Sequence, residues 1–450
     1  MRARWKLISG LILAGAALAG SVALAMGWRP LAAIGLGSWS AGSTVRIGLI
    51  HSQTGYLAIS EKSLLDAEIM AIEEINAAGG VNGRRVAWSS PDCRSDPEAF
   101  VAQARDLIEK EHAQALFGTW TSECRKAVQP VVAEKGNLLF FPGNTEGVER
   151  AERIIYVGGS ANQSVLPAVR WAYDNLKARR FFVIGLEEVW SRTCCEISKD
   201  AIKCAGGELV GESFMPMLSP NIDGAIEAMR RCKPDVVLNF LVGDSNLAFY
   251  SAYRRAGFTA EHTPAIAFGF SEDESRRFVN ADIAGQYAAW NYFQSIDRPE
   301  NLEFVRKFRK RFGESRLIGD SMVAAYNSIH FWARAAIEVG SVSPSAVLGG
   351  LARQSRNAPD GIVTIDPATS IAWRPFHIAR IQPDGQFVVI WSILKPIRPM
   401  SFVGTRSALD WIAFEADLKA RWRGRWAAPA DSAASGSAAE ASPTPPGPAR

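Results

Sequence analysis

From Val45 onward, short apolar-rich runs alternate with segments of helical period. The first series is VRIGLI (45–50), VAWSS (86–90), ALFG (115–118), LLFFP (138–142) and IIYVGG (154–159). The second is FFVIG (181–185), ELVGESF (208–214), DVVLNFL (235–241), AIAFGF (265–270) and GQYAAWNYF (285–293). Apolar strands separated by helices predict parallel sheets covered on both faces. Between the first two runs, Leu65, Ile69, Ile72 and Ile75 share one helical face, and Gly79-Gly80 ends that helix. The two series echo each other: INAAGG (75–80) and IKCAGG (202–207) each close the first helix of their set. The expected fold class is α/β, with two doubly wound, Rossmann-like lobes.

Polar and aromatic residues gather where strands hand over to helices. The clusters are HSQTG (51–55), GTWTS (118–122), FPGNTEG (141–147), GLEEVW (185–190), VGDSN (242–246) and FSEDE (270–274). In open α/β sheets this is the ligand-binding edge, where helix N-termini present unpaired N–H groups. Hydroxyls at helix starts also serve as ordinary N-caps, which alone accounts for any one cluster. Six clusters from two lobes, three carrying rings, predict a cleft enclosing a small polar ligand.

The ends of the chain differ from its body. Arg2, Arg4 and Lys6 precede an uncharged apolar run, Leu7–Met26, so residues 1–40 read either as a cleaved signal peptide or as a membrane anchor. Either reading places the body of the chain outside the cytoplasm, in the periplasm. Residues 406–426 read as an amphipathic helix with Trp411, Leu418 and Trp422 near one face. It either packs on the body or meets a membrane or partner. The Ala/Ser/Pro-rich segment 427–450 is expected to be disordered.

Composition narrows the function. A net charge of +4 on 450 residues, with no basic stripe interleaved with aromatics, excludes a nucleic-acid binder. Six cysteines suit an oxidising compartment but allow 15 full pairings. There is no C-x-x-C, metal-binding His cluster, Walker loop, G-x-S-x-G elbow or G-x-G-x-x-G after a strand, so no metal or cofactor is expected. His51, just after the first strand, is either pocket-lining or a satisfied structural group. An amide-hydrolysing enzyme is disfavoured because no residue presents itself as a nucleophile.

The stretches IGLIHSQTGYLAISEKSLLDAEIMAIEEINAAGGVNGR, GTWTSECRKAVQPV, TEGVE…IIYVGGSANQSVLPAV, NFLVGDSNLAFY and GQYAAWNYFQSIDRPEN resemble the urea- and short-chain-amide-binding proteins. These belong to the branched-chain amino acid type of periplasmic binding protein that serves ATP-driven importers. The resemblance covers about residues 45–400. It implies the type I periplasmic binding protein fold: two lobes joined by three crossovers, with ligand held by hinge closure. The implied lobes are 45–163 plus 292–364, and 164–291 plus 365–402. The implied partners are an ABC transporter permease and a small urea-, amide- or guanidine-like ligand. A membrane-tethered sensor using the same fold is the alternative.

Carried over by position, the implied ligand contacts are Ser52, Thr54, Trp120, Ser122 and Asp244, with Trp120 stacking on a planar ligand and Ser122 hydrogen-bonding to it. Phe141, Asn144, Glu188 and Trp190 join them from segments that depart from the family pattern. The family commonly reads Tyr-Pro-x-x-Tyr-Glu-Gly where this chain has Phe141 to Gly147, and Ser-Asp-Tyr-x-[Phe/Tyr]-Pro-Arg where it has Leu186 to Arg192. Two tyrosine hydroxyls are thus replaced, one by the carboxylate Glu188. An unpaired buried carboxylate asks for a cation, which implies a guanidinium, amidine or amine ligand. The alternative is that Glu188 turns away or pairs with Arg192. Relatives also carry a disulfide between the loops after strands two and three, which makes Cys93 and Cys124 the implied pair.

Overall fold

The computed structural model describes residues 44–217 and 222–429. The reading of residues 1–40 as a leader or anchor lies outside the described residues, as does that of 430–450 as a disordered tail.

Each of the ten apolar runs contains a strand: β1 (Val45–Ile50), β2 (Val86–Ser89), β3 (Leu116–Gly118), β4 (Leu139–Phe141), β5 (Ile154–Tyr156), β6 (Arg180–Leu186), β7 (Glu208–Met215), β8 (Val236–Phe240), β9 (Ala265–Ala267) and β10 (Tyr287–Trp290). The first five form a sheet of order β2-β1-β3-β4-β5, parallel throughout. Strands β3, β4 and β5 are buried throughout and β1 is buried except at Arg46, which is why they read as continuous apolar runs, while the edge strand β2 leaves Trp88 exposed.

The second sheet is larger than the sequence suggested. Four more strands, β11 (Ser355–Ala358), β12 (Gly361–Ile365), β13 (Ala372–Ile381) and β14 (Phe387–Ile397), extend it to nine. They join antiparallel, with β13 pairing β10, β12 and β14. Strand β13 carries Arg374, fully buried, with its guanidinium on Asp320 (2.8 and 3.0 Å) and Asp360 (3.0 Å). A buried charge of this kind needs such partners, and it interrupts the apolar pattern by which strands are read.

The chain passes between the lobes three times. After β5 it enters the second sheet. After β10 it returns, and the helices Pro299–Phe312 and Asp320–Glu338 pack on the first helix, Ala58–Ala77. Beyond the helix Pro344–Leu351 it crosses back to β11–β14. Beyond the second sheet, the helix Ala408–Arg421 lies against the helix Val189–Ala205. Trp411, Leu418 and Trp422 form its buried face. Ala427, where the sequence reading begins a disordered tail, instead makes an antiparallel bridge with Glu188.

Among the described residues no helix is long and apolar enough to cross a membrane. All six cysteines are unbonded. Cys93 and Cys124 are both buried, so the implied disulfide is not formed.

Candidate functional site

The site begins at the join between β3 and the helix Ser122–Glu134. Gly118 and Thr119 both take positive φ (118° and 53°), so the chain reverses sharply before the helix starts. A non-glycine residue in this region costs about 1–2 kcal/mol, so the turn is held by its surroundings. Thr121 then caps the helix, its hydroxyl accepting from Cys124 N at 3.3 Å. The turn aims Trp120 between the lobes. Its indole N–H donates to Ser321 Oγ at 3.1 Å, which fixes the ring plane.

Trp120 forms one wall of a small cavity of about 30 Å³. Thr121, Ser122, Glu123 and Asn144 line it from the first lobe, and Glu188, Trp190, Met217, Val242, Gly269 and Trp290 from the second. Trp290 is oriented through its indole N–H to Phe270 O (2.8 Å), and Trp190 packs edge-on against Phe240. Gly269 permits the close approach of the second-lobe loops, since a Cβ there would lie 2.3 Å from Leu241 O. The lobes meet elsewhere too: Ser60 donates to Glu274, and the Tyr56 carbonyl sits against Gly243.

Five of the nine residues expected from sequence therefore meet here: Trp120, Ser122, Asn144, Glu188 and Trp190. The other four do not line the cavity. Ser52 Oγ accepts from Ser95 N (2.8 Å), and Thr54 Oγ1 donates to Asp92 (2.7 Å), so both knit two loops together. Phe141 is core, edge-on to Tyr156 and under the Arg125 guanidinium. Asp244 is exposed and pairs with Arg277 at 2.6 Å. His51 is likewise structural, buried against Glu68 at 2.8 Å.

Ser122 reaches the cavity, but its hydroxyl is committed. It donates to Glu146 (2.5 Å) and accepts from Arg125 (2.8 Å). Arg125 and Lys126 share Glu146 and Glu149 in a buried network below the cavity. Against burial, which would raise it, these two cations hold Glu146 down to about 2.

Glu188 behaves unlike either reading of it. It neither lacks partners nor pairs with Arg192, which goes to Glu187 instead. Its carboxylate caps the helix Val189–Ala205, accepting from Trp190 N (2.7 Å) and Ser191 N (2.5 Å). Burial pushes it up to about 7, against the opposing pull of those N–H groups. Burial likewise raises Glu123 to about 7, opposed by Arg425. Among the described lining residues one buried side-chain group stands unsatisfied: Asn144 Oδ1 accepts from Gly159 N (3.1 Å), while its Nδ2 is buried without a partner. Buried donors are rarely left so.

Sequence reasoning placed Thr121 and Val242 in its strand-end clusters without naming them as ligand contacts, and it missed Glu123, Met217, Gly269 and Trp290 as lining residues. Val242 and Trp290 stand at the C-terminal ends of β8 and β10, where strand position alone could have found them. Met217 stands two residues beyond β7, as Val242 does beyond β8, so the same signal applies to it.

The profile of the periplasmic binding protein domain matches residues 45–408. The chain belongs to that family. Leu/Ile/Val-binding protein homolog 6 of Brucella suis biovar 1 (strain 1330) is 24% identical over 72% of this chain and 84% of its own length. A shorter match, 32% identical, joins 28% of the chain to 23% of a protein named limonene hydroxylase from Geobacillus stearothermophilus. Among solved structures, a solute-binding protein of an ABC transporter from Rhodopseudomonas palustris BisB5, in complex with 3,4-dihydroxybenzoic acid, superposes with a TM-score of 0.73. It is 20% identical over 79% of this chain and 98% of its own. The leucine-binding protein LivK from Thermotoga maritima MSB8 gives a TM-score of 0.71 at 18% identity, over 78% and 99%. The fold is that of a type I periplasmic binding protein, and these two solved relatives are solute-binding proteins.

Proposed function

We propose that this protein captures a small, planar, donor-rich solute outside the cytoplasm, of the urea or short-chain amide type, and delivers it to an ABC importer. The carrying observation is the chemistry of the lining. Three indole rings supply flat walls, Glu123 and Glu188 supply acceptors, and Asn144 Nδ2 is an unpartnered donor. A urea or amide carbonyl accepts from Asn144, its N–H groups donate to a carboxyl, and its flat faces stack on tryptophan.

No Lys, Arg or His is among the described lining residues. An aromatic acid or free amino acid, as named for the solved relatives, would bring its carboxylate to a site already holding two carboxyls. Of the two helix N-termini at the cavity, that of Val189–Ala205 is occupied by Glu188, and that of Ser122–Glu134 is capped by Thr121 and carries Glu123 in its first turn. That same capping removes the need for a cationic ligand, so a neutral amide is favoured over guanidinium. Hydrolysis gains no support, because the Ser122 and Thr121 hydroxyls are both engaged within the protein.

Equilibrium dialysis of the full chain with radiolabelled urea and acetamide tests the reading. Saturable retention of either one supports it. Retention of neither, with benzoate or leucine retained instead, overturns it.

A further inference from the structure

The family profile ends at residue 408, yet the chain continues through a helix and an ordered strap to Pro429. That segment touches both lobes beside the cavity. On the second lobe, Val189 N donates to Trp426 O (2.9 Å) and Ala428 N to Glu187 O (2.8 Å), bracketing Glu188 in a two-stranded bridge with Ala427. Val189, Leu418 and Trp422 seal the bracket, with Phe414, Trp426 and Ala428 packed around them. Arg406 anchors the root of the segment to Glu196 (2.8 Å) and Asp200 (2.8 and 3.0 Å).

On the first lobe, Glu415 pairs with Lys126 at 2.9 Å, and the Lys126 ammonium sits 4.8 Å from the centroid of the Trp426 ring. Glu123, a cavity residue, borders the groove beneath Arg425 and Trp426. One short segment thus grips Lys126 of one lobe and the backbone around Glu188 of the other. Separating the lobes would break one of these grips.

We infer that residues 403–428 are a working part of the binding site: a strap that positions Glu188 in the cavity and ties the two lobes together. The Glu188 bracket uses main-chain hydrogen bonds, so it fixes the carboxyl whatever ligand is bound. The grip on Lys126 uses an ion pair and a ring, both shielded from water, where such contacts count for more than at an exposed surface. The inference does not depend on which ligand the cavity takes.

Hydrogen exchange on the ligand-free full chain at pH 8, compared with Glu415→Gln and Trp426→Ala, tests it. Each substitution removes one of the two contacts that grip Lys126 and leaves the Arg406 anchor in place. The informative amides lie at residues 57–65 and 270–276, around the Ser60–Glu274 contact, which the strap does not touch. A tie between lobes predicts about tenfold faster exchange there in both variants. Faster exchange confined to 403–428 and 187–192 would mean that the strap only packs locally, and would overturn the inference. If Trp426→Ala loses protection throughout, the milder Glu415→Gln decides between these outcomes.

Discussion

Replacing Glu188 by Gln isolates the electrostatic cost of a carboxyl in the cavity wall. Glu188 is 3% exposed and titrates near 7 in the folded protein, against 4.5 for the free group. Between those values the folded state binds more protons than the unfolded chain. The contribution of this group to stability is therefore complete below pH 4.5 and lost as the pH rises through 7. At about 1.4 kcal/mol for each pH unit separating the two values, ionised Glu188 costs about 3 kcal/mol at pH 8. Glutamine keeps the shape and one acceptor for the Trp190 and Ser191 N–H groups, and it does not ionise. At pH 5, where Glu188 is neutral, the two proteins should differ by about 1 kcal/mol or less. At pH 8 the variant should be the more stable by about 2–3 kcal/mol, which for a body of this size is about 2–4 °C in Tm. Differential scanning calorimetry of both proteins at the two pH values reads the change directly, and groups elsewhere cancel in the comparison. Equal Tm differences at pH 5 and pH 8 would refute the argument that Glu188 is held against its charge.

Asn144→Asp replaces the unpartnered donor with a third carboxyl while leaving the acceptor for Gly159 N, so urea or acetamide binding in dialysis should fall about tenfold or more. Trp120→Phe keeps an apolar wall but drops the bond to Ser321. It should weaken binding by about fivefold, while Trp120→Ala should abolish it within the range of the same assay. Arg125→Met removes one of the two cations shared by buried Glu146 and Glu149, leaving only Lys126, and should destabilise the protein by about 3–5 kcal/mol, seen as a lower Tm with the far-UV circular dichroism of the folded protein unchanged.

Most of the ten strands are legible because they are buried on both faces and carry an uninterrupted apolar core, while the part-buried edge strands β2 and β7 are read from their β-branched and aromatic residues. Strands β11–β14 are not legible, for reasons visible in single residues. Strand β13 hides Arg374 among buried neighbours, and β14 leaves Val388, Ile390 and Leu394 exposed while ending in Lys395 and Pro396. Neither matches the continuous run of a covered strand or the clean alternation of a half-covered one. In the site, Trp120 and Ser122 are readable from their place at a strand-to-helix join. What the sequence does not disclose is where each polar atom is directed. Ser52 and Thr54 stand at an equivalent join, yet they are consumed by the loop Asp92–Ser95. The capping role of Glu188 was obscured because glutamate is not among the favoured N-cap residues, so it read as a free carboxylate.

Isothermal titration calorimetry of the full chain at pH 7 against urea, acetamide, guanidinium at low millimolar concentration, benzoate and leucine tests the central claim most directly. Saturable one-to-one binding of urea or acetamide, with little response to benzoate or leucine and loss of the signal in Asn144→Asp, is the predicted result. Tight binding of benzoate or leucine with no heat from urea, acetamide or guanidinium would contradict it.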